Sequence, residues 1–201
     1  MTSEITRATL LNRGARTATA FAIGGTALGT LAGSAQAQTP SDNDLAYLRM
    51  VIASELLAID FYTKAIALRR FPPAADSRLR EALENEQSHY RTLAAAMVDA
   101  GQVPAVAGDI NFLYPRGGFA SRTSIARLGT RLEAMFVGST LGAAEGIESD
   151  ALRLQVAQIA ASEARHLAMF SVLEGRGVIG PAFPPALSID QATTALSLFE
   201  S

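Results

Sequence analysis

Glu86-Gln87-Ser88-His89 and Glu163-Ala164-Arg165-His166 are the two places in this chain that hold a histidine, and in each the histidine follows a glutamate by three residues. On a helix, positions i and i+3 share a face, with Cβ atoms about 5–6 Å apart. One carboxylate and one imidazole at that spacing can grip the same ion. A lone Glu-x-x-His is usually a surface ion pair, so the residues around these two decide how they are read.

Both copies interrupt apolar stripes. Leu79, Leu83, Glu86, His89 with Tyr90, Leu93 and Met97 recur at helical spacing around the first, and Leu152, Val156, Ile159, Glu163, His166, Leu167 and Phe170 around the second. A third stripe, Leu48, Ile52, Glu55, Ile59, Tyr62 and Ile66, steps by four and three and carries a lone acid in its middle. Such stripes are the inward faces of a bundle. A buried, unpaired carboxylate costs several kcal/mol or takes up a proton. Lys64 is the only lysine and the arginines mostly fall off the stripes, so a pair of metal ions is the simplest source of positive charge for acids converging there.

The same pattern sets the fold class: an all-α, four-helix bundle with a long crossover between helices two and three. Ser41-Asp42-Asn43-Asp44 has the chemistry of an N-cap with an acidic first turn. The helix it opens stops at Phe71-Pro72-Pro73. A second helix is expected from Asp76 or Ser77 to Gly101, a third from about Ser121 to Gly146, and a fourth from Ser149-Asp150 to Gly175. Residues 102–120 hold Pro, Gly and aromatics without a helical period and read as an ordered crossover. Nothing alternates with period two, so no sheet is expected. Two short-loop hairpins joined by a longer connection run up-down-down-up. The bundle occupies residues 38–180. Residues 181–201 form a tail with Pro181, Pro184 and Pro185, then a short helix after Ser188. Gly129, Gly138 and Gly142 in helix three are expected to let helices approach closely, at up to about 1 kcal/mol each relative to Ala.

Spacing ties the acids together. Glu55 and Glu86 are 31 residues apart, and Glu133 and Glu163 are 30 apart. Each acid lies about 15 residues from its own hairpin turn, and equal distance from a turn means equal height at about 1.5 Å per residue. Each hairpin therefore brings a lone Glu level with a Glu-x-x-His. Glu145 and Glu148, beside the second turn, lie about 20 Å from the height of Glu163, so Glu133 is the acid that helix three contributes. Glu81, Glu84 and Glu148 read as solvated faces. Tyr62, two turns after Glu55, is a candidate for a supporting role beside the ligands or for core packing, and Tyr90 for filling the next core layer.

The N-terminus reads as an export signal. Arg7, Arg13 and Arg16 precede an uncharged run over residues 17–33, and Ala35-Gln36-Ala37 is an A-x-A cleavage signature. The run is short and weakly apolar against the ~20 residues of a membrane span, so residues 1–37 are expected to be removed and the mature protein to have no membrane segment. Losing three cations and one anion turns the net charge of −2 into −4. The chain of 201 residues has no electrostatic footprint for nucleic acid. With no cysteine, disulfide scaffolds, thiolate zinc sites and iron–sulfur clusters are excluded.

With these residues in place, the chain resembles the ferritin-like superfamily of carboxylate-bridged dimetal proteins. It is most similar to the exported ferritin-like domain proteins related to desiccation-associated proteins. That likeness rests on Glu55 with Phe61-Tyr62, the run from His89 through Leu93 to Gly101, Leu132-Glu133 with Val137 and Leu141-Gly142, and Ala182-Phe183-Pro184 with Leu187-Ser188. The resemblance implies that Glu55 and His89 are terminal ligands of one metal, Glu133 and His166 of the other, and that Glu86 and Glu163 bridge. It implies two iron or manganese ions that react with dioxygen or peroxide. Ala58 stands where related branches often carry a further acid, so extra carboxylates are not expected. A secreted bundle that uses its metals for stability alone is the rival reading. A homodimer stays open, whereas the short crossover, the Pro-rich tail and the export signal argue against a 24-subunit cage.

Overall fold

The computed structural model describes residues 40–201, and the export segment expected over residues 1–37 lies outside them. Helix α1 (Asp42–Ala67) is capped as its sequence suggests: the Ser41 hydroxyl accepts the Asp44 backbone N–H at 3.1 Å, and the Asp44 carboxylate accepts that of Ser41 at 3.3 Å. Helix α2 (Pro73–Asp99) starts earlier than the expected Asp76 or Ser77. Pro72 is its cap and Pro73 its first residue, where a fixed φ suits the helix and the missing N–H would have had no partner. Helix α3 (Arg122–Gly146) opens on a Ser121–Ser124 cap. Helix α4 (Asp150–Glu174) ends where Gly175 turns left-handed at φ 86°. Helix α5 (Ile189–Leu196) follows Ser188, which caps it together with Gln191. Among the described residues there is no strand, only an isolated antiparallel bridge between Phe112 and Glu200.

The hairpins α1–α2 and α3–α4 pack most densely, α1 lies against α3, and α2 meets α4 more thinly. Direction is set at one end of the bundle. Asp44 accepts the Glu148 backbone N–H at 2.6 Å, and the Asn43 amide donates to the Gly146 carbonyl at 2.8 Å. The start of α1 is thus tied to the α3–α4 turn, as the up-down-down-up order requires. No described helix is long and apolar enough to cross a membrane.

Helix α1 is the central element, with Leu48, Val51, Leu57, Phe61, Tyr62 and Ala65 all fully buried around its circumference. Its stripe accounts for one face, and the crossover and the tail cover the other. The Tyr114 hydroxyl of the crossover donates to Asp60 at 2.7 Å. The Phe61 ring packs against Phe119 at 5.8 Å, and Tyr114 meets Phe199 of the tail at 6.1 Å. The Leu113 N–H donates to the Phe199 carbonyl at 2.7 Å, which ties crossover to tail. Tyr90 packs against the core, as expected. It is half-buried and donates to the Ala105 carbonyl at 2.9 Å, fastening the crossover to α2.

The glycines of α3 divide the work differently from the expectation. Gly129 does serve helix–helix approach, since a Cβ there would come within 2.5 Å of the Phe170 ring of α4. Gly138 and Gly142 instead seat the tail. The Leu187 N–H donates to the Gly138 carbonyl at 2.8 Å, and a Cβ on Gly142 would overlap the Leu187 carbonyl. From that anchor α5 buries Ala192 and Leu196 against α1 and α3. Gly142→Ala is therefore expected to dislodge the tail and cost about 1–3 kcal/mol, as overpacking does. Thermal melting should fall and a protease should cut more readily between α4 and α5; a variant as stable and as resistant as the parent would contradict the seating.

Candidate metal centre

Each of the four bundle helices delivers its ligand candidates to one level of the core. Glu55 comes from α1, Glu86 and His89 from α2, Glu133 from α3, and Glu163 and His166 from α4. The four glutamates are at most 2% exposed. Glu145 and Glu148 are exposed, as are Glu81 and Glu84. Thr140 is buried but spends its hydroxyl on the Phe136 carbonyl of its own helix at 2.8 Å. Ala58 is buried and adds no acid.

The six side chains form two overlapping groups. Glu55, Glu86, His89 and Glu163 offer ligand atoms all within 4.8 Å of one another, and so do Glu86, Glu133, Glu163 and His166. Glu86 and Glu163 belong to both. His89 Nδ1 lies 3.1 Å from Glu163 and 3.4 Å from both Glu55 and Glu86. His166 Nδ1 lies 2.8 Å from Glu86, 3.4 Å from Glu163 and 4.0 Å from Glu133. An imidazole nitrogen has one proton or one lone pair and cannot hydrogen-bond three carboxylates at once. Oxygens on Glu55, Glu86, Glu133 and Glu163 and the Nδ1 of His89 are buried without an aligned hydrogen-bond partner. Atoms that share an ion at about 2.0–2.2 Å stand about 3–4 Å from one another, which is the spacing seen here. Four carboxylates also balance two divalent cations. The donor set, oxygen-rich with one imidazole per group, suits iron or manganese without excluding zinc.

Two neighbours support one half of the cluster. The Tyr62 hydroxyl donates to Glu133 Oε1 at 2.5 Å, so Tyr62 of α1 serves the acid of α3, across the bundle from its own Glu55. The Asn85 amide nitrogen stands 3.2 Å from His166 Nε2. Asn85 has no counterpart in the sequence reading. It precedes Glu86 and lies off the apolar stripe, so neither periodicity nor motif points to it.

Without metal the cluster must hold protons. Burial, with the charges of Glu86 and Glu163 behind it, raises Glu55 well above the ordinary range against the opposing pull of His89. Burial does the same to Glu133, helped by Glu163 and Glu86. Burial would also raise Glu86, but the imidazoles of His166 and His89 outweigh it and bring that carboxyl down to about 2. Both imidazoles resist the lowering effect of burial: Glu163, Glu55 and Glu86 push His89 up to about 12, and Glu163 and Glu86 push His166 up to about 9. Burial raises Tyr62 well above its usual value, so its hydroxyl keeps the proton it donates.

A model of the ferritin-like domain family matches residues 43–176, from the start of α1 to just past α4, and so takes in all six residues. The chain belongs to the ferritin-like domain family. Among solved structures, a conserved hypothetical protein of Mycobacterium tuberculosis is similar at 20% identity and a TM-score of 0.59, over 71% of this chain and 97% of its own. A hypothetical protein of Methanococcus jannaschii is similar at 12% identity and a TM-score of 0.54, over 86% of this chain and 98% of its own. At these identities the likeness speaks to the fold. A search of curated proteins found no match.

The proton accounting of this ferritin-like centre sets a pH dependence. Glu55, Glu133, His89 and His166 all bind protons more tightly in the folded, metal-free protein than in the unfolded chain. Folding then takes up protons, and stability falls as pH rises above the ordinary glutamate value of 4.5. The imidazole contribution is complete below 6.5 and is lost through about 9 for His166 and about 12 for His89. Glu86 acts in the opposite sense, but its contribution is complete above 4.5. Chelated protein is expected to melt lower at about pH 8 than at about pH 5, and divalent metal to raise the melting point more at the higher pH. Calorimetry showing no metal effect at either pH would argue against a buried ion site.

Proposed function

We propose that this ferritin-like protein is exported and holds two iron or manganese ions, with which it oxidises metal or reduces dioxygen or peroxide. The observation that carries the reading is the convergence of four buried glutamates on two imidazole Nδ1 atoms, with carboxylate oxygens left without hydrogen-bond partners. Glu86 and Glu163 offer one oxygen to each group and bridge. Glu55 with His89, and Glu133 with His166, are the terminal ligands. When bound, the open-shell metals supply the electrons that dioxygen or peroxide accepts.

The chain's own part is to position and to insulate. Leu48, Ile52, Leu79, Leu93 and Leu132, all buried, belong to the apolar core that encloses the centre and keeps bulk water out. The glutamates can each bind through one oxygen or two, so the set tolerates a change of metal charge without moving a helix. The Tyr62 hydroxyl holds a proton against Glu133 Oε1. Export is supported by the basic start, the uncharged run over residues 17–33 and Ala35-Gln36-Ala37. It would deliver the mature protein to a compartment where dioxygen and peroxide are met directly.

Elemental analysis of protein from its native host should find two iron or manganese ions per chain, and its intact mass should begin at Gln38. The reduced protein should consume dioxygen or peroxide. Metal-dependent melting without any such consumption would favour the rival, a bundle that uses its metals for stability alone. Gel filtration should give a monomer or a homodimer, and a particle of several hundred kDa would indicate a storage cage instead. Glu86→Ala or Glu163→Ala should lose both ions, because each residue bridges, whereas His89→Ala should weaken mainly one. Full occupancy of both positions in Glu86→Ala, measured by metal analysis, would remove the bridging assignment.

A further inference from the structure

The ligands repeat, but what surrounds them does not. Behind His166, the Asn85 amide stands 3.2 Å from Nε2. With Nδ1 facing the carboxylates, Nε2 carries the ring proton, and the amide, whose Nδ2 is the atom placed against Nε2, supplies the oxygen acceptor that proton needs by a half-turn about its Cβ–Cγ bond. Beside it, the Tyr62 hydroxyl occupies Glu133 Oε1 at 2.5 Å, leaving Oε2 on the side facing His166 Nδ1 at 4.0 Å. The Tyr62 ring also meets the His166 ring edge-on, centroids 6.0 Å apart, and walls it in place. Both partners of that position are therefore held before any ion arrives.

The other position has neither support. Among the described residues no side-chain amide hydrogen-bonds the His89 ring, and no hydroxyl reaches Glu55. The His89 side chain is 15% exposed against 6% for His166. A ring held only through its Nδ1 side and more open to water loses more order on binding an ion and gives it up more readily.

We infer that the two metal positions are unequal: Asn85 and Tyr62 are positioning residues that make the Glu133–His166 position the tight, first-filled one, and the Glu55–His89 position is the exchangeable one through which metal enters and leaves. This rests on the dimetal reading above and adds an order of loading and a direction of exchange. It also assigns Asn85, which no motif marks, to the control of metal affinity.

The test is a titration of the metal-free full chain with Co(II), followed by visible absorption and by calorimetry. The parent should show two steps, the tighter lost in His166→Ala and the looser lost in His89→Ala. Asn85→Leu and Tyr62→Phe should each weaken the tight step by about 10–100-fold and leave the loose step where it was. Asn85→Asp, which keeps an oxygen for the Nε2 proton, should retain the tight step, a rescue that a merely space-filling Asn85 would not predict. Tyr62→Phe changes one atom, so it carries the test even if Asn85→Leu fails to fold by circular dichroism. Two equal steps in the parent, or variants that weaken both steps alike or neither, would overturn the inference and leave the dimetal reading standing. A parent that binds no Co(II) would bring down both.

Discussion

Four carboxylates held at one level of an apolar core are the constraint on which the rest of the molecule turns. Left ionised and unpaired, each would cost several kcal/mol, and together they would repel one another at contact distance. Among the described residues no lysine or arginine pairs with the cluster. Only protons or bound cations can neutralise it. The raised carboxyls of Glu55 and Glu133 and the raised imidazoles show how far the metal-free chain must go in taking up protons. Divalent ions would do the same work by giving the orphaned oxygens and nitrogens a common partner.

That burden explains features remote from the centre. A helix bundle with acids in its core needs compensating apolar burial, and α1 supplies it by being buried on every side from Met50 to Ala58. The crossover does not merely return the chain to the other end. Through Tyr114 and Phe119 it roofs α1, and Tyr90 pins it down. The tail then closes the remaining face, seated on Gly138 and Gly142 and tied back to the crossover at Leu113. The tail from Leu187 onward is thus part of the packed molecule, although the family match ends at residue 176. The Asp44 and Asn43 contacts to the α3–α4 turn lock the two hairpins in register, which keeps Glu55 level with Glu133.

The internal duplication of Glu and Glu-x-x-His gives the centre a two-fold look that its surroundings break. Symmetric ligands with asymmetric support are a way for one fold to make two ion positions of different strength. Tyr62 illustrates the point: it lies on the Glu55 stripe, yet its hydroxyl crosses to Glu133. The side that gains this donor also gains Asn85, and the side that lacks both is the one nearer water.

Helix identity, the crossover and the six side chains at the centre were all legible in the sequence. Each depends on a local rule: apolar residues at a 3.6 period, caps such as Ser41 and Ser121, and equal distances from two turns. Local rules fail where one element meets another. The start of α2 at Pro73 turned on whether a proline was read as a stop or as a first residue, and only the preceding turn decides that. Gly138 and Gly142 were visible as small residues, but that the tail would occupy them follows from where Leu187 lands after a chain reversal. Asn85 and the partner of Tyr62 were hidden for the same reason. Both contacts link residues more than 70 positions apart, and a hydrogen bond between helices depends on their rotation and height. The sequence by itself determined which acids are buried and at what level, because burial and spacing are periodic. Tertiary structure alone decided which of those acids is held ready, because that depends on which neighbour the packed helices bring against it.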